Sequence, residues 1–199
     1  MPTPVGHSLI GAAMMIGRDR TCAGLKSVLS DLWSHKGVLL LFLFLANAPD
    51  IDYIPGILQG EINSYHHLYT HTLGWILLVA TGVWLVWKAR DPSVTWRLYV
   101  FLLALLAGHL VADWLTDDRR PPYGIMAFWP LTDRFFISPV WIFPRAMKAN
   151  WGEVFRWHNL AIGGVELVIG LVLVGIVAGF KLLLCTRRPG APIMDGQGK

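Results

Sequence analysis

Histidines and a few aspartates supply the reactive side chains of this sequence. His109 and Asp113 are four residues apart, which on a helix puts both side chains on one face. Asp50 and Asp52 stand in Pro49-Asp50-Ile51-Asp52, directly after an apolar run, and His66, His67 and His71 stand in His66-His67-Leu68-Tyr69-Thr70-His71, directly before another. His7 opens a further apolar stretch. Neutral imidazole and carboxylate are the common ligands of zinc and related divalent ions. Such an ion neutralises several carboxylates at once; without it, close aspartates repel and are driven toward the neutral form. The expected chemistry is metal-dependent hydrolysis. The ion would polarise a phosphoryl or carbonyl oxygen and lower the pKa of a bound water toward about 7. Asp50 or Asp52 could bridge, with the other as general base. His7, Asp50, Asp52, His66, His71, His109 and Asp113 exceed the roughly four ligands that one zinc takes, so one or two ions are expected.

The elements that must position these groups are membrane helices. The chain is 54% hydrophobic and 15% charged, with a mean hydropathy of +0.49, too little charge for the surface of a soluble domain of 199 residues. Ten tryptophans fit aromatic belts at headgroup level. About 20 apolar residues cover the hydrocarbon core. His71–Trp87, Leu98–Leu115 and Leu160–Phe180 are read as spans, and Gly6–Gly17 and Gly37–Ala48 as short helices that pack against them. The expected fold is therefore an all-α multi-pass bundle with four or five membrane helices in one domain, 1–188. Residues 116–157, rich in proline and aromatics, read as a structured non-cytoplasmic insert, and 189–199 as a disordered tail. Threading the helices back and forth brings the His/Asp groups to a single membrane face. Eleven of the 17 basic residues fall on the opposite side, which makes that side cytoplasmic.

Other residues are weighed against this frame. Glu166 lies inside the last span, about 12 Å from His158 at 1.5 Å per residue. It reads either as a further ligand or imidazole partner, or as a group hydrogen-bonded to another helix. His158 marks the interface. Arg119 and Arg134 suit phosphate by guanidinium geometry, or contact headgroups. Cys22 and Cys185 stand singly and are read as free thiols. No basic stripe interleaves with stacking aromatics, so nucleic-acid binding is not expected.

The ordered motifs resemble the YdjM-type, LexA-regulated inner-membrane proteins described as metal-dependent hydrolases. That pattern runs from an N-terminal His through Pro-Asp-x-Asp, His-Arg-Gly-x-Thr-His-Ser and His-x-x-x-Asp to Gly-x-x-x-x-x-Pro. It is matched here by His7, Pro49-Asp50-Ile51-Asp52, His66 with His71, His109 with Asp113, and Gly124 with Pro130. His67-Leu68 replaces the Arg-Gly, and Thr72 the final Ser. His67 then stands for the Arg as an anion contact, or adds a ligand. The order of ligands is also similar to zinc-dependent phospholipase C, which favours phosphoesters. The resemblance implies a plasma-membrane (inner-membrane) hydrolase, zinc as cofactor, and a lipid or amphipathic substrate met on the non-cytoplasmic face. The alternative is a metal-binding or metal-transport membrane protein without enzymatic activity.

Overall fold

The computed structural model describes residues 2–18, 34–117, 123–148 and 150–186. Among them the chain is all-helical: α1 (Pro4–Arg18), α2 (Lys36–Ala46), α3 (Tyr53–Gln59), α4 (Leu73–Arg90), α5 (Trp96–Trp114), α6 (Trp151–Val154) and α7 (Trp157–Thr186). Single 3-10 turns cover Ala48–Asp52 and Tyr69–His71. Three helices, α4, α5 and α7, are long and apolar enough to cross a membrane. A fourth crossing is formed if α2 and the segment Ala48–Gln59 count as one span bent by 61°. The bend has a local cause: Pro49 has no backbone N–H to continue α2 and disfavours helical backbone at the residue before it.

α5 is the centre of the bundle. Leu102, Leu105 and Leu106 are fully buried and pack with Phe42 and Leu45 of α2 and with Ile76 and Ala80 of α4. α7 lies at the edge and exposes Leu160, Val168, Leu171, Val172 and Ile176, the apolar face a bilayer would cover.

α1 packs against α7, α2 and α5. Its depth in the bundle depends on close approach. A Cβ at Gly170 of α7 would lie 2.5 Å from Leu9 Cδ1 and 2.6 Å from Leu9 Cβ, so only glycine admits Leu9 there. Gly170→Ala should lower stability by about 1–3 kcal/mol through overpacking. Gly175→Ala, where nothing lies within 4 Å of the added atom, should leave it unchanged. Thermal melts of the two variants in detergent should separate by several degrees; coincident melts would show that α1 does not seat as described.

The connection after α5 is a structured insert. Thr116 bridges Phe143 in parallel and Ile125 bridges Phe136 antiparallel. Gly124 has φ +85°, and a Cβ there would fall 2.1 Å from the Phe136 carbonyl oxygen, so this turn requires glycine. The Trp129–Pro130 bond is cis. Leu73 N–H donates to the Ala127 carbonyl at 2.8 Å, which ties the insert to the start of α4.

One sequence expectation is corrected. Cys185 is disulfide-bonded, not a free thiol. Pairing depends on what the fold brings to a cysteine, which chain spacing does not reveal. Cys22, Arg119 and the tail from 189 lie outside the described residues.

Candidate metal centre

Each chemical side chain is placed by a helix end. His7 lies in the first turn of α1, Asp50 and Asp52 on the turn that ends α2, His71 on the turn that opens α4, and His109 and Asp113 near the end of α5. All of these ends meet at one end of the bundle, and there the imidazoles and carboxylates converge.

Local chemistry explains the convergence. The Ala46 carbonyl is one of the last in α2, with no partner further along its helix. His109 Nδ1 donates to it at 2.8 Å, which pins α5 against the end of α2. The Asn47 amide donates to Ser8 Oγ at 3.0 Å and to the Leu43 carbonyl at 2.8 Å, tying the turn beside His7 to α2. Asn47 therefore has a structural role, whereas the turn carrying Asp50 has no side-chain cap and leaves that carboxylate to the site. Thr72 caps α4 by accepting from Trp75 N–H at 3.1 Å, a role serine and threonine share.

Around this scaffold, five side chains form a cage. His71 Nε2 and His109 Nε2 are 3.2 Å apart, and each lies 3.1 Å from Asp113 Oδ2 and 3.7 Å from Asp50 Oδ1. His7 stacks on the His109 ring with centroids 3.7 Å apart and places Nε2 3.4 Å from Asp113 Oδ1. The side chains of His7, His71, His109 and Asp113 are wholly buried, while that of Asp50 keeps 11% exposure. Asp50 is the least buried member of the cage.

Proton placement makes the cage fit a cation. His109 Nδ1 carries the proton it donates to Ala46, so in the neutral ring Nε2 is bare. His71 Nδ1 lies 3.0 Å from Asp52 Oδ2, which holds that proton on Nδ1 and leaves its Nε2 bare as well. Two bare lone pairs 3.2 Å apart repel unless a positive charge lies between them. The oxygens of Asp50 and Asp113 and both ring nitrogens of His7 are buried and make no hydrogen bond. Buried polar atoms without partners are costly, and here they all belong to one cage. Donors bound at ~2.0–2.2 Å to a zinc are ~3.0–3.5 Å from one another, the range of the closest distances here. His71, His109 and Asp113 form one metal-capable group, and His7, Asp50 and His109 another.

Asp52 forms a further metal-capable group with Asp50 and His66, and it also backs the imidazoles. Its Oδ1 accepts from His66 Nδ1 at 3.0 Å, and its Oδ2 faces His71 Nδ1 and accepts from Thr70 Oγ1 at 2.8 Å. A carboxylate on the far nitrogen of a ligating imidazole fixes the ring and raises its basicity. His66 lies beside the cage, 3.9 Å from Asp50 Oδ1. Burial, and then the charges of His67, Lys148 and His71, hold it well below the ordinary imidazole range, so it is neutral. His67 is buried at φ +67° and donates from Nδ1 to the Gly124 carbonyl at 3.1 Å. Left-handed backbone at a non-glycine residue costs of order 1–3 kcal/mol and concentrates at functional sites. Here it clamps the insert to the loop that carries His66 and His71, with which His67 forms a further metal-capable group.

Two candidates stand apart from the cage. Glu166 is fully buried and accepts from Thr3 N–H at 3.0 and 2.8 Å and from Thr3 Oγ1 at 2.5 Å. It anchors the start of α1, four residues before His7, and belongs to none of the metal-capable groups among the described residues. Arg134 is exposed on the insert, where only its backbone is seen to bond, to Thr132 Oγ1. His158 is exposed at the head of α7.

Tyr53 and Lys148 escaped sequence reasoning. Tyr53 stacks on His66 with centroids 4.2 Å apart, and Lys148 Nζ lies over the Tyr53 ring at 4.8 Å and donates to its hydroxyl. The position of Tyr53 next to Asp52 was a signal. Lys148, 95 residues away on the insert, had none.

Comparison with known proteins identifies the family of the chain. No curated protein and no solved structure matches the chain. A family model described as YdjM inner membrane protein matches residues 1–184, a stretch that includes every helix start and end from which the cage is built. With nearly the whole length matched and apolar helices to suit, the chain belongs to the YdjM inner membrane protein family.

Proposed function

We propose that this protein is a membrane-bound, zinc-type metal-dependent hydrolase that cleaves an ester, a phosphoester of a lipid or other amphipathic molecule. One observation carries the reading: bare imidazole nitrogens and unbonded carboxylate oxygens from four separate segments converge within metal-ligand spacing. His7, His71, His109, Asp50 and Asp113 would hold the ion. When bound, it supplies a Lewis acid and an acidified water. The mixed nitrogen and oxygen set suits zinc and similar first-row ions.

The chain's own residues supply the rest. Asp52 orients His71 and His66. Asp50, the least buried of the five, would receive the proton of the attacking water. The apolar core below excludes bulk water from the cage. A site at the helix ends stands at headgroup level, where an amphipathic ester presents its polar part. The sequence carries more basic residues in the segments read as lying on the opposite side, which favours a site on the non-cytoplasmic face. A transporter would want ligands near the midplane and a route to both sides. Placement at the helix ends favours hydrolysis.

The test uses the full chain in detergent, loaded with zinc, against p-nitrophenyl phosphate and a phosphatidic acid dispersed in micelles. Release of p-nitrophenol or inorganic phosphate is expected, abolished by a chelator and restored by zinc. Metal-loaded protein that releases nothing, yet passes zinc across proteoliposomes, would favour transport and sink the hydrolase.

A further inference from the structure

We infer that Lys148, held by Tyr53 beside the metal cage, is the residue that recognises the phosphoryl oxyanion of the substrate. This rests on the proposed metal centre and adds what that centre lacks. Asp50, Asp52 and Asp113 bring three carboxylates, and one divalent ion leaves the site with a net negative charge. An anionic ester approaching such a site needs a cation near the metal. Arg134 is exposed and shows no contact with the cage among the described residues.

Lys148 is in the right place. Its ammonium donates to the Tyr53 hydroxyl and lies 4.8 Å from the ring centroid. Tyr53 stacks nearly parallel on His66, at 16°, and His66 Nδ1 is 3.9 Å from Asp50 Oδ1. The line Lys148–Tyr53–His66–Asp50 leads from the insert to the least buried member of the cage.

The backbone that carries this lysine is fixed. Met147 N–H donates to Asn159 Oδ1 at 2.8 Å, and Asn159 Nδ2 donates to the Met147 carbonyl at 2.5 Å and the Glu153 carbonyl at 3.0 Å. Asn159 belongs to the first turn of α7, so the segment next to the lysine is tied to a membrane helix. An ammonium is a compact point charge with rotatable donors. The ammonium and the Tyr53 hydroxyl together offer a phosphoryl oxygen one charged and one neutral hydrogen-bond donor.

The experiment measures binding rather than turnover. Zinc-loaded full-length protein in detergent is titrated with inorganic phosphate by calorimetry. The same protein in nanodiscs is titrated with a short-chain phosphatidic acid. Metal content is recorded for every sample. Wild type should bind at least one of the two; binding in both arms identifies the phosphoryl group itself as the ligand, and binding only in the nanodisc identifies the lipid headgroup. Lys148→Met should weaken that binding about tenfold or more with metal content unchanged, since a charge-assisted hydrogen bond is lost. Lys148→Arg should retain most of it, which shows that the loss follows charge and not misfolding. Unchanged phosphate affinity in metal-replete Lys148→Met, or no binding by metal-replete wild type in either arm, overturns this inference alone. Wild type that takes up no metal fails the metal centre itself, and the inference with it.

Discussion

Protein in which alanine replaces both His109 and Asp113 should emerge from purification without metal, while wild type carries about one ion per chain. His109 and Asp113 meet every other member of the cage, directly or through a shared neighbour, and they sit one turn apart on the central helix. Losing even an outer hydrogen-bond partner of a ligand typically costs roughly 10–100-fold in metal affinity, so losing two donors should cost about a thousandfold or more. The helix itself should survive. Leu102, Leu105 and Leu106, which bind α5 to its neighbours, lie below the substituted turn. Elemental analysis after gel filtration reads the result, with the elution profile as the control for folding. Full occupancy in the double variant would remove the metal centre from consideration.

The second large effect concerns a residue outside the cage. Asp52→Asn should weaken zinc binding by roughly 10–100-fold without removing any of the five proposed donors. The wild-type carboxylate accepts from His66 and Thr70 and faces Nδ1 of His71. An asparagine has one acceptor oxygen, and its amide would turn N–H donors toward imidazole N–H groups. His71 would lose the charge that keeps its proton on Nδ1 and its Nε2 free. Asp50→Asn, which replaces the least buried of the proposed donors, should reduce hydrolysis more than it reduces binding. Competition with a chelating dye measures the affinities. Wild-type affinity in Asp52→Asn would show that this carboxylate does not order the imidazoles.

Both variants turn on a distinction that chain position does not draw. Asp50 and Asp52 are two residues apart on the same turn and looked interchangeable as bridge and base. In the fold one faces the cage and the other backs two histidines. On a 3-10 turn of about three residues per repeat, side chains two apart point in different directions. Which one meets the cage depends on how α2 enters the bundle, and therefore on Pro49, Asn47 and the contact with His109.

The limits of the helices were more accessible. Apolar runs separated by Asn-Ala-Pro-Asp and Asp-Pro-Ser placed α2, α4 and α5 within a few residues of their observed ends, because a bilayer demands length and allows few charges. Gly124 was picked out by its motif, and the structure gives the cause in its left-handed backbone and the close Phe136 carbonyl. Glu166 shows the converse. An acid inside an apolar span is a functional candidate by default, yet this one accepts from Thr3 and seats α1.

Local rules along the chain suffice for an all-helical membrane protein with imidazole and carboxylate groups at the helix ends, and for the pairing of His109 with Asp113. Those rules are hydropathy over a span, the helical repeat, and the breaks made by proline. Which groups meet is settled by packing between distant segments. His7 joins a cage with partners about forty to a hundred residues away, Asp52 stands behind it, and Lys148 arrives from an insert with no motif of its own. Contacts between distant segments are set by packing, by small residues such as Gly170 that let helices approach, and by single hydrogen bonds such as His109 to Ala46. No periodicity along the chain encodes them.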